Sequence, residues 1–435
     1  MINKKLTILC AGVLAAAGLA GCGGRAKGIM IWAPSEEQPV IRTIIDDYNE
    51  AHPDDKIEYR FKATEEGTAS SDVEKDPKTA NYPSLFASVD DHLTALAIDT
   101  RVAAKIPSAT AEQIKETTVD SAVTSASVNG ELYAYPISVD NGYFLYYDTD
   151  FFSASEVGTL EGMLEKAAAQ NKQFLMDMPN GYYSASIFLS PEVMGLQGIG
   201  YTREGSGDDA VIKYNMDWGS TKAATAAKAF SDLIVPYTSG TAKTFISGDN
   251  TAIATGAANG TLVACVSGTW VMDALTPGWG EGKVGTAKLP TVAGNQLASF
   301  VGAKNYVVNS FATAEEQADA HKIAQLLTSK EGQLIRYQIR SAVPCNIEAQ
   351  EDPIYADNKT PAVAGLEAQA PYGAVQSQCV ESLYWPIGET IGRVIMQGYY
   401  GDGQTQTKLQ TVEKWSAYLN EITEPLVDPS KRVTA

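Results

Sequence analysis

Adjacent carboxylates invite a catalytic reading, and Asp90–Asp91, followed directly by His92, is such a pair. A glycosidase needs one carboxylic acid and a second carboxylate placed across the scissile bond. Consecutive residues at a strand end point to opposite sides, so Asp90 and Asp91 do not flank one bond. Other reactive types are scattered. The three histidines, His52, His92 and His321, have no metal-ligand spacing. No nucleophile elbow, P-loop or zinc-helix motif occurs, and Gly198 and Gly200 lack the dinucleotide pattern. The residues therefore point to non-covalent chemistry, with no catalytic group, no cofactor and no metal expected.

The elements that must position such residues are short apolar strands alternating with amphipathic helices. Residues 29–33 read as a buried strand. Further strands are expected at 57–61, 85–87, 132–137, 144–147, 174–178, 261–266 and 303–308. Ser35 with Gln38 forms a capping box that opens a helix with inner face Val40, Ile41, Ile44, Ile45 and Tyr48. Thr313 with Glu316 and Thr328 with Glu331 announce two later helices. Alternation of this kind implies α/β architecture with mainly parallel sheets covered on both faces. Residues 62–80 are polar and read as a surface loop with one helical turn. Residues 205–209 and 399–406 read as exposed turns. His52 should end a helix, and His321 should lie on a solvated helix face.

The first residues read as a targeting segment. Lys4 and Lys5 precede an apolar stretch over residues 6–19 that is too short to span a membrane comfortably. Leu19-Ala20-Gly21-Cys22 then resembles a lipobox, with Cys22 as the residue to be acylated, so residues 1–21 are a signal peptide and 22–28 a linker. The mature protein is expected to be anchored through lipid on the outer face of the cytoplasmic membrane. Without Lys4 and Lys5 the 33 basic residues fall to 31 against 52 acidic ones, a net −21. Such a charge disfavours nucleic acid and anionic membranes. Cys265, Cys345 and Cys379 remain, too few for a disulfide framework. They are expected to be free and buried, although Cys345 and Cys379 could pair.

Taken in order, several segments make the chain resemble a family-one extracellular solute-binding protein, nearest the maltose/maltodextrin-binding lipoproteins of Gram-positive ABC importers. They are the opening strand with Trp32, residues 83–93 (PSLFASVDDHL), residues 129–148 (NGELYAYPISVDNGYFLYYD), Ser267-Gly268-Thr269-Trp270, residues 288–309 and residues 328–346. The resemblance implies a type II fold of two α/β lobes with a ligand cleft between them. Residues 29–139 and 289–343 would form lobe 1, and residues 140–288 and 344–435 lobe 2. It also implies an oligosaccharide ligand, permease partners and a monomeric binding protein.

A sugar presents hydroxyls at its edge and C–H patches on its faces, which suit carboxylates and aromatic rings respectively. By resemblance, Trp270 is a stacking platform, Tyr182 a second one, and Tyr384 or Trp385 a third. Asp91 and His92 would grip hydroxyls, and Asp140, where the family places an acidic residue at the first crossing between lobes, is a further ligand-binding position. Glu36 and Glu37 match polar binding positions, although acids in a helix's first turn also favour its dipole without a ligand. The chain departs from the family at Ser88, where relatives often carry Phe or Trp, and at Ser84, where an Asp is common. Tyr143 is one candidate to replace the missing platform. Two other readings stay open: a polyamine on the same fold, and a surface adhesin or chemoreceptor module. A glycan-active enzyme is disfavoured by the absent motifs.

Overall fold

This computed structural model describes residues 28–78, 82–190, 193, 201–204, 211–214, 218–240, 243–376, 384–401 and 405–427. The expected signal peptide, Cys22, the linker to residue 27, Gly198, Gly200, residues 205–209 and Cys379 lie outside the described residues.

Two sheets organise the chain. The first has six strands: β1 (Ile29–Ala33), β2 (Tyr59–Ala63), β3 (Leu85–Ser88), β4 (Tyr135–Gly142), β10 (Ser299–Val308) and β11 (Gly373–Val375). The second has five: β5 (Phe144–Asp148), β6 (Gln173–Leu175), β7 (Phe245–Ile246), β8 (Leu262–Ser267) and β9 (Val284–Ala287). In the first sheet β1 pairs in parallel with β2 and β3, and β10 runs antiparallel to both β3 and β4. In the second, β5 runs antiparallel to β8 and β9 while β6, β7 and β8 are parallel. Only Tyr143 separates β4 from β5, so the chain changes sheets across a single buried residue. It returns between β9 and β10. The strand β11 then comes back to the first sheet from within the C-terminal quarter of the chain.

Helices cover both sheets. Helix α1 (Gln38–Ala51) buries Val40, Ile41, Ile44 and Ile45, the face that its periodicity announces. Its start differs from expectation. Gln38 is the first helical residue and Glu37 the cap, without a side-chain capping bond. The Glu37 carboxylate is committed elsewhere. Arg336 Nη2 donates to its Oε1 at 2.8 Å, and Arg340 Nη1 lies 3.0 Å away. Helix α2 (Glu66–Lys75) replaces the loop expected over residues 62–80. Its buried face is Ala69, Ser70 and Val73, too small and polar to produce a strong apolar period.

Farther along come α3 (Gly181–Ser184), α4 (Thr221–Thr238), α5 (Ala314–Thr328), α6 (Lys330–Arg340), α7 (Tyr384–Gln397) and α8 (Val412–Val427). Helix α5 carries the Thr313–Glu316 capping box in full. The cap of α6 is Ser329 rather than Thr328, because the Thr328 hydroxyl donates to the Pro136 carbonyl at 3.2 Å. His52 ends α1, with Nδ1 2.9 Å from the Tyr48 carbonyl. His321 is half-buried rather than solvated, with its Nδ1 2.7 Å from the Tyr135 hydroxyl.

Three large apolar clusters result: one around the first sheet, and one on each face of the second. Cys265 and Cys345 are free and buried. Among the described residues no helix is long and apolar enough to cross a membrane.

The Arg336–Glu37 pair ties α6 to the start of α1, with side chains 4% and 3% exposed. Removing one member of a buried pair leaves the other charge uncompensated. Glu37→Gln should therefore lower unfolding stability by about 3–5 kcal/mol in urea titration.

Candidate functional site

The turn after β3 is a short 3-10 segment, Asp90–His92, whose three side chains meet different neighbours. Asp90 is fully buried. A Cβ on Gly302 of β10 would lie 3.1 Å from Asp90 Oδ1 and 3.1 Å from Asn141 Nδ2, so the glycine lets these groups approach the strand. Asp91 is half-buried; its Oδ2 accepts a hydrogen bond from Trp385 Nε1 at 3.2 Å, while Oδ1 is buried without a partner. His92 pairs with Glu74 of α2, with Nδ1 and Oε1 2.8 Å apart.

Trp385 belongs to α7, which lies against α3. Small residues allow that approach: a Cβ on Gly392 would meet the Met178 carbonyl at 1.6 Å, and one on Gly388 the Gly181 Cα at 2.8 Å. Asn180 caps α3, its side chain accepting from the Tyr182 amide. The result is an aromatic array. Tyr182 stacks on Phe300 at 5.5 Å between centroids, and Phe300 meets Trp385 edge-on at 6.1 Å. Tyr143 packs edge-on against Tyr182 at 4.9 Å and is fully buried, so it supports that ring instead of offering a platform of its own. A pocket of ≈ 570 Å³ opens beside the array, lined among others by Asp177, Asn180, Gly181, Tyr182, Trp385 and Glu389.

Electrostatics follow from this enclosure. Burial pushes the Asp91 carboxyl up, against the opposing influence of His92 and the Trp385 N–H. The Tyr182 hydroxyl is buried without a partner. Burial drives this phenol well above the usual tyrosine value, and neighbouring charges including Asp90, Asp140 and Asp91 push the same way, so it keeps a proton to donate. Asp140 has the opposite fate. Burial works against its charge, but Lys304, Arg336, the Ser138 hydroxyl donating at 2.5 Å, and Arg340 together hold it below the ordinary aspartate range. Lys304 also pairs with Glu66 of α2 at 3.3 Å.

The expected residues thus divide. Asp91, Tyr182 and Trp385 come together. Tyr384 belongs to the core: it is 1% exposed, stacks on Trp218 and donates from its hydroxyl to the Gly181 carbonyl at 3.1 Å. Adjacent positions on α7 point about 100° apart, which separates the two rings. Glu37 and Asp140 lie in the buried charge network, whereas Glu36 is exposed and 3.8 Å from Arg340. Trp270 stands on the turn after β8, 40% exposed, its ring folded across Gly268; among the described residues no ring contact joins it to Tyr182 or Trp385.

Ser88 is fully buried and accepts from the Ser70 hydroxyl of α2 at 2.9 Å, so no platform stands there. Ser84 is likewise fully buried. Phe300, Asn141 and Glu74 escaped the sequence reading. Phe300 carried one usable signal, a large aromatic within the run that resembles the return to the first lobe. Among the described residues no group of three or more His, Cys, Asp or Glu is placed to hold a metal.

An α/β fold of two sheets, with an acidic and aromatic cleft where their elements meet, defines a ligand-binding protein. The chain belongs to the bacterial extracellular solute-binding protein family, whose model matches residues 43–363. It is 24% identical over 372 residues to the galactooligosaccharide-binding protein of Bacillus subtilis (strain 168), covering 80% of this chain and 82% of that protein. Its fold is similar to that of an unliganded maltodextrin-binding protein from L. casei BL23, at a TM-score of 0.74 and 20% identity over 93% of this chain and all of the other. The maltotriose-binding protein of Thermus thermophilus, solved with maltotriose, superposes with a TM-score of 0.65 at 16% identity, covering 92% of this chain and 100% of that one. The fold is accordingly the two-lobed α/β type.

Asp140 supplies a pH signature. Its depressed folded value means that it stabilises the protein above the unfolded value near 3.8, and that this contribution is lost as pH falls through the folded value. Asp140→Asn should therefore flatten the acid limb of the stability profile below about pH 4, read from urea midpoints across that range.

Proposed function

We propose that this chain is the substrate-binding subunit of an ABC carbohydrate importer and that it captures malto-oligosaccharides without acting on them chemically. The observation that carries this reading is the array of Tyr182, Phe300 and Trp385 against Asp91. Aromatic faces suit the C–H surface of a pyranose, and the buried Asp91 Oδ1 and Tyr182 hydroxyl suit its hydroxyls. The maltodextrin- and galactooligosaccharide-binding names of its relatives support the same class. Trp270, exposed at the end of β8, is a further platform in this proposal, and Glu36 an accessory polar group.

Closure of one lobe on the other would bury the ligand and shift the population to the closed form. The lobe assignments keep residues 29–139 and 289–343 together against 140–288 and 344–435, with crossings near Val139, Leu289 and Pro344; at these margins the first sheet also takes in the end of β4, as far as Gly142, and β11. The short Tyr143 link and the returning β11 support rocking about a few backbone segments. A lipid on Cys22 would tether the monomer to the outer face of the cytoplasmic membrane, where it meets the permease pair.

Calorimetric titration with maltotriose, a galacto-oligosaccharide, cellotriose and spermidine tests the reading. One-to-one heat with maltotriose alone is expected. Heat with the galacto-oligosaccharide alone would keep the class and move the sugar, and heat with spermidine alone would overturn the carbohydrate assignment. Trp385→Ala should weaken the maltotriose complex by about 2 kcal/mol, as for aromatic anchors in general; an unchanged Kd would remove Trp385 from the contact surface.

A further inference from the structure

Glu74 reaches the Asp90–His92 turn from α2, the helix that the sequence pattern conceals. Its Oε1 lies 2.8 Å from His92 Nδ1, and the two side chains are only 25% and 17% exposed. A carboxylate can only accept, so Nδ1 carries the proton and Nε2 is the one polar atom the imidazole has left to offer. Helix α2 itself is held to the strand before the turn by the Ser70–Ser88 hydrogen bond and to β10 by the Glu66–Lys304 pair. The carboxylate therefore comes from a fixed element. We propose that Glu74 is a positioning residue for ligand binding: it fixes the ring orientation and the Nδ1–H form of His92, so that Nε2 serves a ligand hydroxyl beside Asp91. The inference rests on the carbohydrate-binding reading of Asp91 and His92.

A histidine whose second nitrogen is held by a carboxylate presents its first in one defined state, whereas an unheld ring samples two tautomers and several rotamers. The charged groups facing this imidazole are Glu74 from α2 and Asp91 from its own turn. Burial disfavours the imidazolium, but those two carboxylates outweigh it and raise His92 above the ordinary histidine value. As pH rises through that raised value, Nε2 changes from donor to acceptor, so ligand affinity should carry the titration of His92.

The test uses the mature protein in detergent, with maltotriose as the probe. With only three histidines in the chain, NMR titration can follow His92 directly once His92→Gln identifies its signal. Glu74→Ala is expected to weaken maltotriose binding by about tenfold, the size of one net hydrogen bond, and to lower the His92 midpoint by about one pH unit. Glu74→Gln keeps an acceptor without the charge. It should restore most of the affinity near neutral pH while the midpoint stays lowered, which a purely structural role for Glu74 would not produce. Unchanged maltotriose affinity in Glu74→Ala, with wild-type binding intact, overturns the positioning role and leaves the carbohydrate reading standing. A wild-type protein that binds none of the four titrants overturns the carbohydrate reading and this inference with it.

Discussion

The pairing of β10 is the constraint on which the rest of the molecule depends. Over ten residues, Ser299–Val308, this strand hydrogen-bonds to β3, β4 and β11. Its pleat sends alternate side chains to opposite faces, and each position has a different task. Phe300 stacks under Tyr182, Gly302 leaves room for Asp90 and Asn141, and Lys304 meets Glu66 beside Asp140. A slip of one residue would exchange the faces and place Lys304 and Phe300 on the wrong sides together. The register holds because both flanking strands, β3 and β4, bury their own side chains against it.

From that strand two environments separate. Around Lys304 lies a dry network of opposite charges, with Glu37, Arg336, Arg340, Lys304 and Asp140 compensating one another where solvent is scarce. Such a network contributes little net stability compared with a well-packed apolar substitute, but it penalises any arrangement that separates its members. Around Phe300, rings and carboxylates meet with polar atoms left over, at Asp91 Oδ1 and the Tyr182 hydroxyl. Buried polar groups are normally satisfied, so surplus ones beside an aromatic array support the ligand-binding role proposed for it.

The Asp91–Trp385 hydrogen bond joins these halves most directly. Asp91 follows β3 of the first sheet, and Trp385 stands on a helix packed against the aromatic side of the second. Glycines at positions 181, 388 and 392 bring α3 and α7 close enough for that contact. Side chains there would drive the helices apart and carry Trp385 away from the cleft.

Much of this was legible in sequence. The apolar stripe of α1, the capping box of α5, the buried strand of Trp32 and the α/β alternation follow from local periodicity and capping chemistry, which need no distant partner. Asp91 and Tyr182 were legible as residue types suited to sugars. Other features were not. Helix α2 turns a small, polar face inward, so no periodic signal marked it, and with it Glu74 stayed hidden. Glu37 and Glu36 are identical neighbours in sequence, yet one is sealed against two arginines some three hundred residues away and the other is exposed. Tyr384 and Trp385 were equivalent until packing rotated one into the core and the other onto the cleft. Local sequence determined most of the strands and helices and which chemistry the chain can offer. Only the tertiary structure decided which of those groups are neutralised by one another and which remain for a ligand, because that depends on partners brought together across the whole length of the chain.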